Sequence, residues 1–223
     1  MTVAEVVFVP SAPLLVPAVA GGAVAADAQM RDASLAATAT ALAGRDHVVV
    51  VAAGSPAGEW SAAATWDFTG FGVPRPGLAG QVRLPWPLGI GAWLLDECGW
   101  RGSRRYVGVP AQPSADSGVG DVATAVIVVA DGSACRTEKA PGYLDHRAEA
   151  FDAGIETALR RGDVAALAGT DEVLAGELLC RSVPAWRWLA AAAGGGAVVD
   201  AAVTFAAAPY GVAYFVAGWT LSG

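Results

Sequence analysis

Basic side chains, imidazole and sulfur are all scarce in this 223-residue sequence. Lys139 is the only lysine, the longest basic runs are the pairs Arg104-Arg105 and Arg160-Arg161, and the formal net charge is −7. Duplex nucleic acid is therefore not an expected partner, because displacing its counterions needs clustered cations. The three cysteines, Cys98, Cys135 and Cys180, are far apart and form no CxxC pair. Such a set reads as reduced thiols rather than a disulfide frame or a zinc knuckle. No GxxxxGK[ST] loop occurs, and Gly194-Gly195-Gly196 falls between an expected helix and an expected strand, the reverse of the dinucleotide fingerprint. No Lys or Arg precedes Arg31, while Glu5 is present, which is the wrong charge for a signal peptide. The longest charge-free stretch, 201–223, is alanine-rich and broken by Pro209-Tyr210-Gly211. It fits two buried strands and a turn better than a membrane span. A soluble, cytoplasmic protein is expected.

Apolar residues, by contrast, make up 54 % of the chain and charged ones 16 %, which excludes disorder. The length suits one domain over 1–223. Short β-branched runs at 3–9, 47–53, 105–109, 122–130, 197–205 and 212–217 are apolar on both alternations, as strands covered on both faces are. Helical segments separate them: 23–43, 88–98 and 145–161, each followed by a glycine, then a short helix capped by Asp163, then 171–180 and 185–193. The expected fold is α/β, a three-layer α/β/α-like domain with a mostly parallel central sheet and a C-terminal antiparallel hairpin. In such sheets the site lies where strands end and loops begin, which points to 10–22, 54–80, 110–120 and 131–143. The second and fourth are rich in Gly, Pro and polar residues and are the first places to look for function.

The strand ends carry a resemblance. Val7-Phe-Val-Pro-Ser-Ala-Pro-Leu-Leu-Val-Pro17 is similar to the opening of class III extradiol ring-cleavage dioxygenase catalytic subunits (the LigB type) and their MEMO-like relatives. There the first strand runs into Pro-His-Pro-Pro-Leu-Leu. His47-Val-Val-Val-Val-Ala-Ala-Gly-Ser-Pro56 resembles the family's second strand, which ends in Ser-Pro-His. Val129-Ala-Asp-Gly-Ser-Ala-Cys135 resembles the strand ending in Gly-Asp-Leu-Ser-His. The stretches 140–152 and 161–163 resemble the helix pair that follows, and 209–219 the closing strand. The likeness covers most of the chain in the same order.

The resemblance implies the scaffold and, in the family, a non-haem Fe(II) held by two histidines and a carboxylate, with a further histidine as acid/base. Here Ser11 stands where the first histidine would, Ser55 to Ala57 surround the second, and Ala134 replaces the acid/base histidine. A seryl hydroxyl stays protonated near neutrality and binds Fe(II) poorly. By elimination Asp200 and Glu177 are the candidates for the carboxylate. The resemblance thus implies a superfamily member with a degenerate iron site and no cofactor. It would bind a small polar or aromatic ligand in the ancestral pocket.

The expected ligand-binding residues are Ser11, Ser55, Asp131, Ser133, Arg136 and Glu138; catalytic and metal-ligating residues are expected to be none. Ser11 and Ser55 are expected at the ends of adjacent strands, lining one pocket with Asp131 and Ser133. Arg136 would offer a planar fork to a carboxylate or phosphate; the bland alternative is a solvated Arg136–Glu138 pair. Serine nucleophilic catalysis is not expected, because neither His47 nor His146 matches a strand end. Cys135 is expected to be buried and inert. The aromatic loop 60–71 either walls a pocket or closes a satellite core or subunit contact. Trp186 and Trp188, two apart on a helix, should face different ways, one of them at an interface. Two alternatives stay open: an active enzyme whose Fe(II) is held by Asp131, Asp200 or Glu177, and a non-catalytic scaffold that self-associates, with a homodimer as the simplest form.

Overall fold

In a computed structural model, which describes residues 3–21, 25–53, 56–75, 77–111 and 124–222, one seven-stranded mixed sheet runs in the order β3-β4-β2-β5-β1-β7-β6. The strands are β1 (Val3–Val9), β2 (His47–Ala53), β3 (Gly58–Trp60), β4 (Ser103–Val109), β5 (Thr124–Val129), β6 (Val198–Ala207) and β7 (Tyr214–Leu221). The helices are α1 (Pro17–Ala20), α2 (Ala25–Leu42), α3 (Trp86–Glu97), α4 (Ala148–Arg161), α5 (Val164–Ala168), α6 (Glu172–Glu177) and α7 (Val183–Ala193). The centre, β4-β2-β5-β1, is parallel. β7 pairs antiparallel with β1 and β6 with β7, and the short β3 closes the other edge antiparallel to β4.

The apolar runs become strands because helices cover both sheet faces. Along β2 the side chains alternate: Val49 and Val51 pack with α4–α7, while Val48, Val50 and Ala52 pack with α2 and α3. β5 divides likewise, Val126 and Val128 to one layer, Ala125, Ile127 and Val129 to the other. This is the period of two that a strand imposes. Phe8 meets Trp219 edge-on at 4.6 Å, and the buried Trp219 indole donates to the Leu159 carbonyl at 2.7 Å, tying α4 to the closing hairpin.

Several details differ from the sequence reading. Trp186 and Trp188 are both buried, because α7 is covered on one side by the sheet and on another by α5. The aromatic loop closes on α3: Phe68 is fully buried, stacks on Trp66 at 5.2 Å, and belongs to the core on that face. The last strand starts at Tyr214, since 208–213 is used for the turn and for bonds to the loop after β5. Ser55 and most of the 110–120 loop lie outside the described residues. No helix among the described residues is long and apolar enough to cross a membrane.

The strand order makes a crevice. After β1 and β2 the chain leaves toward the α2–α3 layer, and after β5 it leaves toward the α4–α7 layer. β5 lies between β1 and β2, so loops diverge to opposite faces on both of its sides. A sheet of this kind binds ligands beside the carboxyl ends of its strands at such a reversal.

Candidate functional site

At that point a cavity of about 420 Å³ opens. Ser11 follows β1, Ala53 ends β2, and Asp131 follows β5; Trp86 and Pro87 from the first turn of α3, Leu179, Arg181, Ser182 and Tyr214 complete much of the wall. A neighbouring cavity of about 450 Å³ beside α6 shares Leu179 and Arg181 with it. Among the described residues its one acidic lining residue is Glu172, which pairs with Arg187 at 2.6 Å.

Asp131 is held on every side. Its Oδ1 accepts the Ser11 backbone N–H at 2.8 Å and its Oδ2 accepts the Ser11 hydroxyl. Its own N–H donates to Ser182 Oγ at 2.8 Å, and the same hydroxyl donates to the Asp131 carbonyl at 2.7 Å. Ser182 is the N-cap of α7, but its side chain makes no capping bond; the hydroxyl serves Asp131 instead. The Cys180 thiol also lies 3.4 Å from that carbonyl. Burial lifts the Asp131 carboxyl from 3.8 to about 6, against the two bonds from Ser11, which pull it down. Burial likewise pushes the Cys180 thiol up to about 12, and raises the Tyr214 phenol, with the Asp131 charge adding to the effect.

The loop after β5 carries a second, separate cluster. Asp152 of α4 accepts the Ser133 N–H at 2.8 Å and the Ser133 hydroxyl at 2.7 Å. Arg136 reaches the same carboxylate at 3.2 Å and Glu149 at 3.5 Å. Gly132 stands between the two clusters, where a Cβ would come within 2.6 Å of Asp152 Oδ1. Bonds from Gly132 to Ala213, Ala134 to Leu178 and Arg136 to Gly211 fix the rest of the loop.

The structure thus brings Ser11 and Asp131 together at the cavity, and sends Ser133 and Arg136 to the other cluster. Glu138 is exposed and lines neither of these two cavities. Arg136 pairs with Asp152 and Glu149 rather than with Glu138. Ser11 does not sit beside the end of β2, as expected for adjacent strands, because β5 separates them. Asp200 lies on the edge strand β6, and Glu177 is exposed and paired with Arg147 at 2.7 Å; neither lines the cavity. His47 begins β2, at the opposite end of that strand, beside Ser103 Oγ at 2.6 Å, and His146 is exposed before α4. Cys135 is buried and its thiol is raised by burial.

Arg181, Ser182, Trp86 and Tyr214 escaped the sequence reading. Pro184 following Ser182-Val183 marks a helix start and Ser182 as its cap, but nothing local shows that the hydroxyl turns to Asp131. No family model matches the sequence, and no curated protein matches it either.

The donor set can be weighed against the iron that the family resemblance implies. Fe(II) of that type needs two imidazoles and a carboxylate. The described wall of this cavity supplies Asp131 and no histidine, and the described residues contain no group of three His, Cys, Asp or Glu placed to hold a metal. These residues do not fit that centre.

Proposed function

We propose that this chain is a diverged member of the class III extradiol dioxygenase and MEMO-like superfamily that binds a small polar or aromatic ligand in the cavity between β1, β5 and β2, without the family's iron chemistry. One observation carries the reading: Ser11, at the position of the family's first ligand histidine, lies on the cavity wall bonded to Asp131. The volume, about 420 Å³, suits a single aromatic ring with substituents. Asp131 and the hydroxyls beside it provide polar anchors; Trp86, Pro87, Leu179 and Tyr214 provide apolar surface.

Isothermal titration calorimetry with catechol and 3,4-dihydroxybenzoate, on metal-free protein and on protein reconstituted anaerobically with Fe(II), tests this. Expected are one ligand per chain without metal, loss of binding in Ala53→Trp, which fills the cavity, and no ring opening. Absence of binding, or stoichiometric iron with a yellow ring-opened product, would overturn it.

The reading as a self-associating scaffold has one observation of its own. β6 is a ten-residue edge strand with Asp200 as its only charged side chain, and no described element pairs with its outer side. Open edges of that length invite strand pairing between copies. Light scattering during size-exclusion chromatography would show a dimer; a monomer at all concentrations removes this reading.

A further inference from the structure

Ser11 and Asp131 also have the geometry of a nucleophile and its base. A serine hydroxyl is a weak nucleophile until a neighbouring group takes its proton, and a productive pair needs the base itself held in place. Here the Ser11 hydroxyl donates to Asp131 Oδ2. The base is oriented by the Ser11 N–H at 2.8 Å and by Ser182 on both sides of its peptide. In acyl transfer the backbone N–H of the residue after the nucleophile commonly binds the developing oxyanion. That residue is Ala12, which lines the cavity and whose N–H has no hydrogen-bond partner among the described residues. The first turn of α3 reaches the same cavity, so the positive end of its dipole lies near.

We propose that the chain is a serine–aspartate hydrolase of small carboxylic esters, with Ser11 as nucleophile, Asp131 as general base, the Ala12 N–H as oxyanion donor, and an anionic group of the substrate held by Arg181. Arg181 is exposed at the cavity wall and forms no ion pair among the described residues. Ser11 Oγ bonds to the ester carbonyl carbon while its proton passes to Asp131. The carbon–oxygen bond to the alcohol then breaks, and the alcohol leaves with the proton returned by Asp131. Water attacks the acyl carbon, giving a proton to Asp131, which restores it to Ser11 Oγ as the acid departs. The sum is ester plus water to acid plus alcohol, with no oxidant or metal. Raised to about 6, Asp131 is a stronger base than an ordinary carboxylate and still ionised at neutral pH. The cavity and the Ser11–Asp131 bond are shared with the ligand-binding reading; the dioxygenase kinship is not needed.

An ethyl fluorophosphonate probe with peptide mass mapping tests the proposal on the wild-type protein directly. Expected is one phosphonyl adduct, on Ser11, forming faster as pH rises from 5 to 7 and level above. Hydrolysis of 4-nitrophenyl acetate should disappear in Ser11→Ala and fall about 100-fold or more in Asp131→Asn, with circular dichroism showing that both fold. Arg181→Gln should lower kcat/KM for 4-acetoxybenzoate relative to phenyl acetate about tenfold or more, the range of one charged hydrogen bond. An unlabelled Ser11 in folded wild-type protein, or hydrolysis that survives Ser11→Ala, would overturn the assignment. An unchanged ratio in Arg181→Gln would overturn the anionic substrate class. Calorimetry with catechol reports on the other reading independently, since it needs no ester chemistry.

Discussion

Two serine–aspartate pairs meet at one loop and are bonded alike. Ser11 gives its N–H and hydroxyl to the two carboxylate oxygens of Asp131, and Ser133 does the same to Asp152. The difference is the third partner. Asp152 has the Arg136 guanidinium at 3.2 Å, with only 3 % of its side chain exposed. Asp131 faces a cavity and forms no ion pair among the described residues. A buried carboxylate beside a cation is a fastening; the same carboxylate without one is held at a cost, and its proton becomes available for chemistry. Asp152 joins α4 to the loop, whereas Asp131 holds a carboxyl with a raised pKa beside open space.

Removing the charge should therefore have opposite signs at the two sites. Asp152→Asn takes the buried carboxylate from Ser133 and Arg136, which keeps only Glu149, and should lower the unfolding free energy by about 3 kcal/mol, measured by urea denaturation at pH 8. Asp131→Asn at the same pH should raise it by about 2 kcal/mol, since a lift from 3.8 to about 6 makes the ionised native form costly by about 3 kcal/mol and the amide forfeits one of the two Ser11 bonds, about 1 kcal/mol. The sign follows from proton release. The unfolded chain ionises first as pH rises, so the wild type loses stability between about pH 4 and 6 and is level above. The gain in Asp131→Asn should accordingly vanish at pH 4. A destabilised Asp131→Asn at pH 8 would break the comparison.

The expectation of an α/β sheet rested on particular residues. Val48–Val51 and 125–129 are apolar without interruption because helices lie on both sides of them. Gly162, which ends α4, has φ +64, the left-handed cap that a glycine after a helical run foretells. Strand order was not legible: β5 enters between β1 and β2 from 71 residues beyond β2 in sequence, counting from Ala53 to Thr124, and no local pattern encodes that. The same limit applies at the site. A polar loop after an apolar strand pointed to Asp131, Ser133, Arg136 and Glu138 together. Which way each side chain goes is decided by contacts from 11, 152 and 182, far away along the chain.

Two smaller changes sharpen the contrast. Arg136→Met would leave Asp152 without its cation. It should cost about 2 kcal/mol at pH 8, measured by urea denaturation, because a buried carboxylate then loses its charged partner. Ser11→Ala removes one of the two bonds that oppose burial at Asp131. It should cost about 1 kcal/mol and move the carboxyl further above 6, as followed by carboxyl carbon NMR.

The most direct measurement is a carbon-detected NMR titration of the Asp131 side-chain carboxyl in the intact protein. A midpoint near 6 is the predicted result, as burial without a counterion requires. A midpoint at or below 3.8, the ordinary aspartate value, would contradict it.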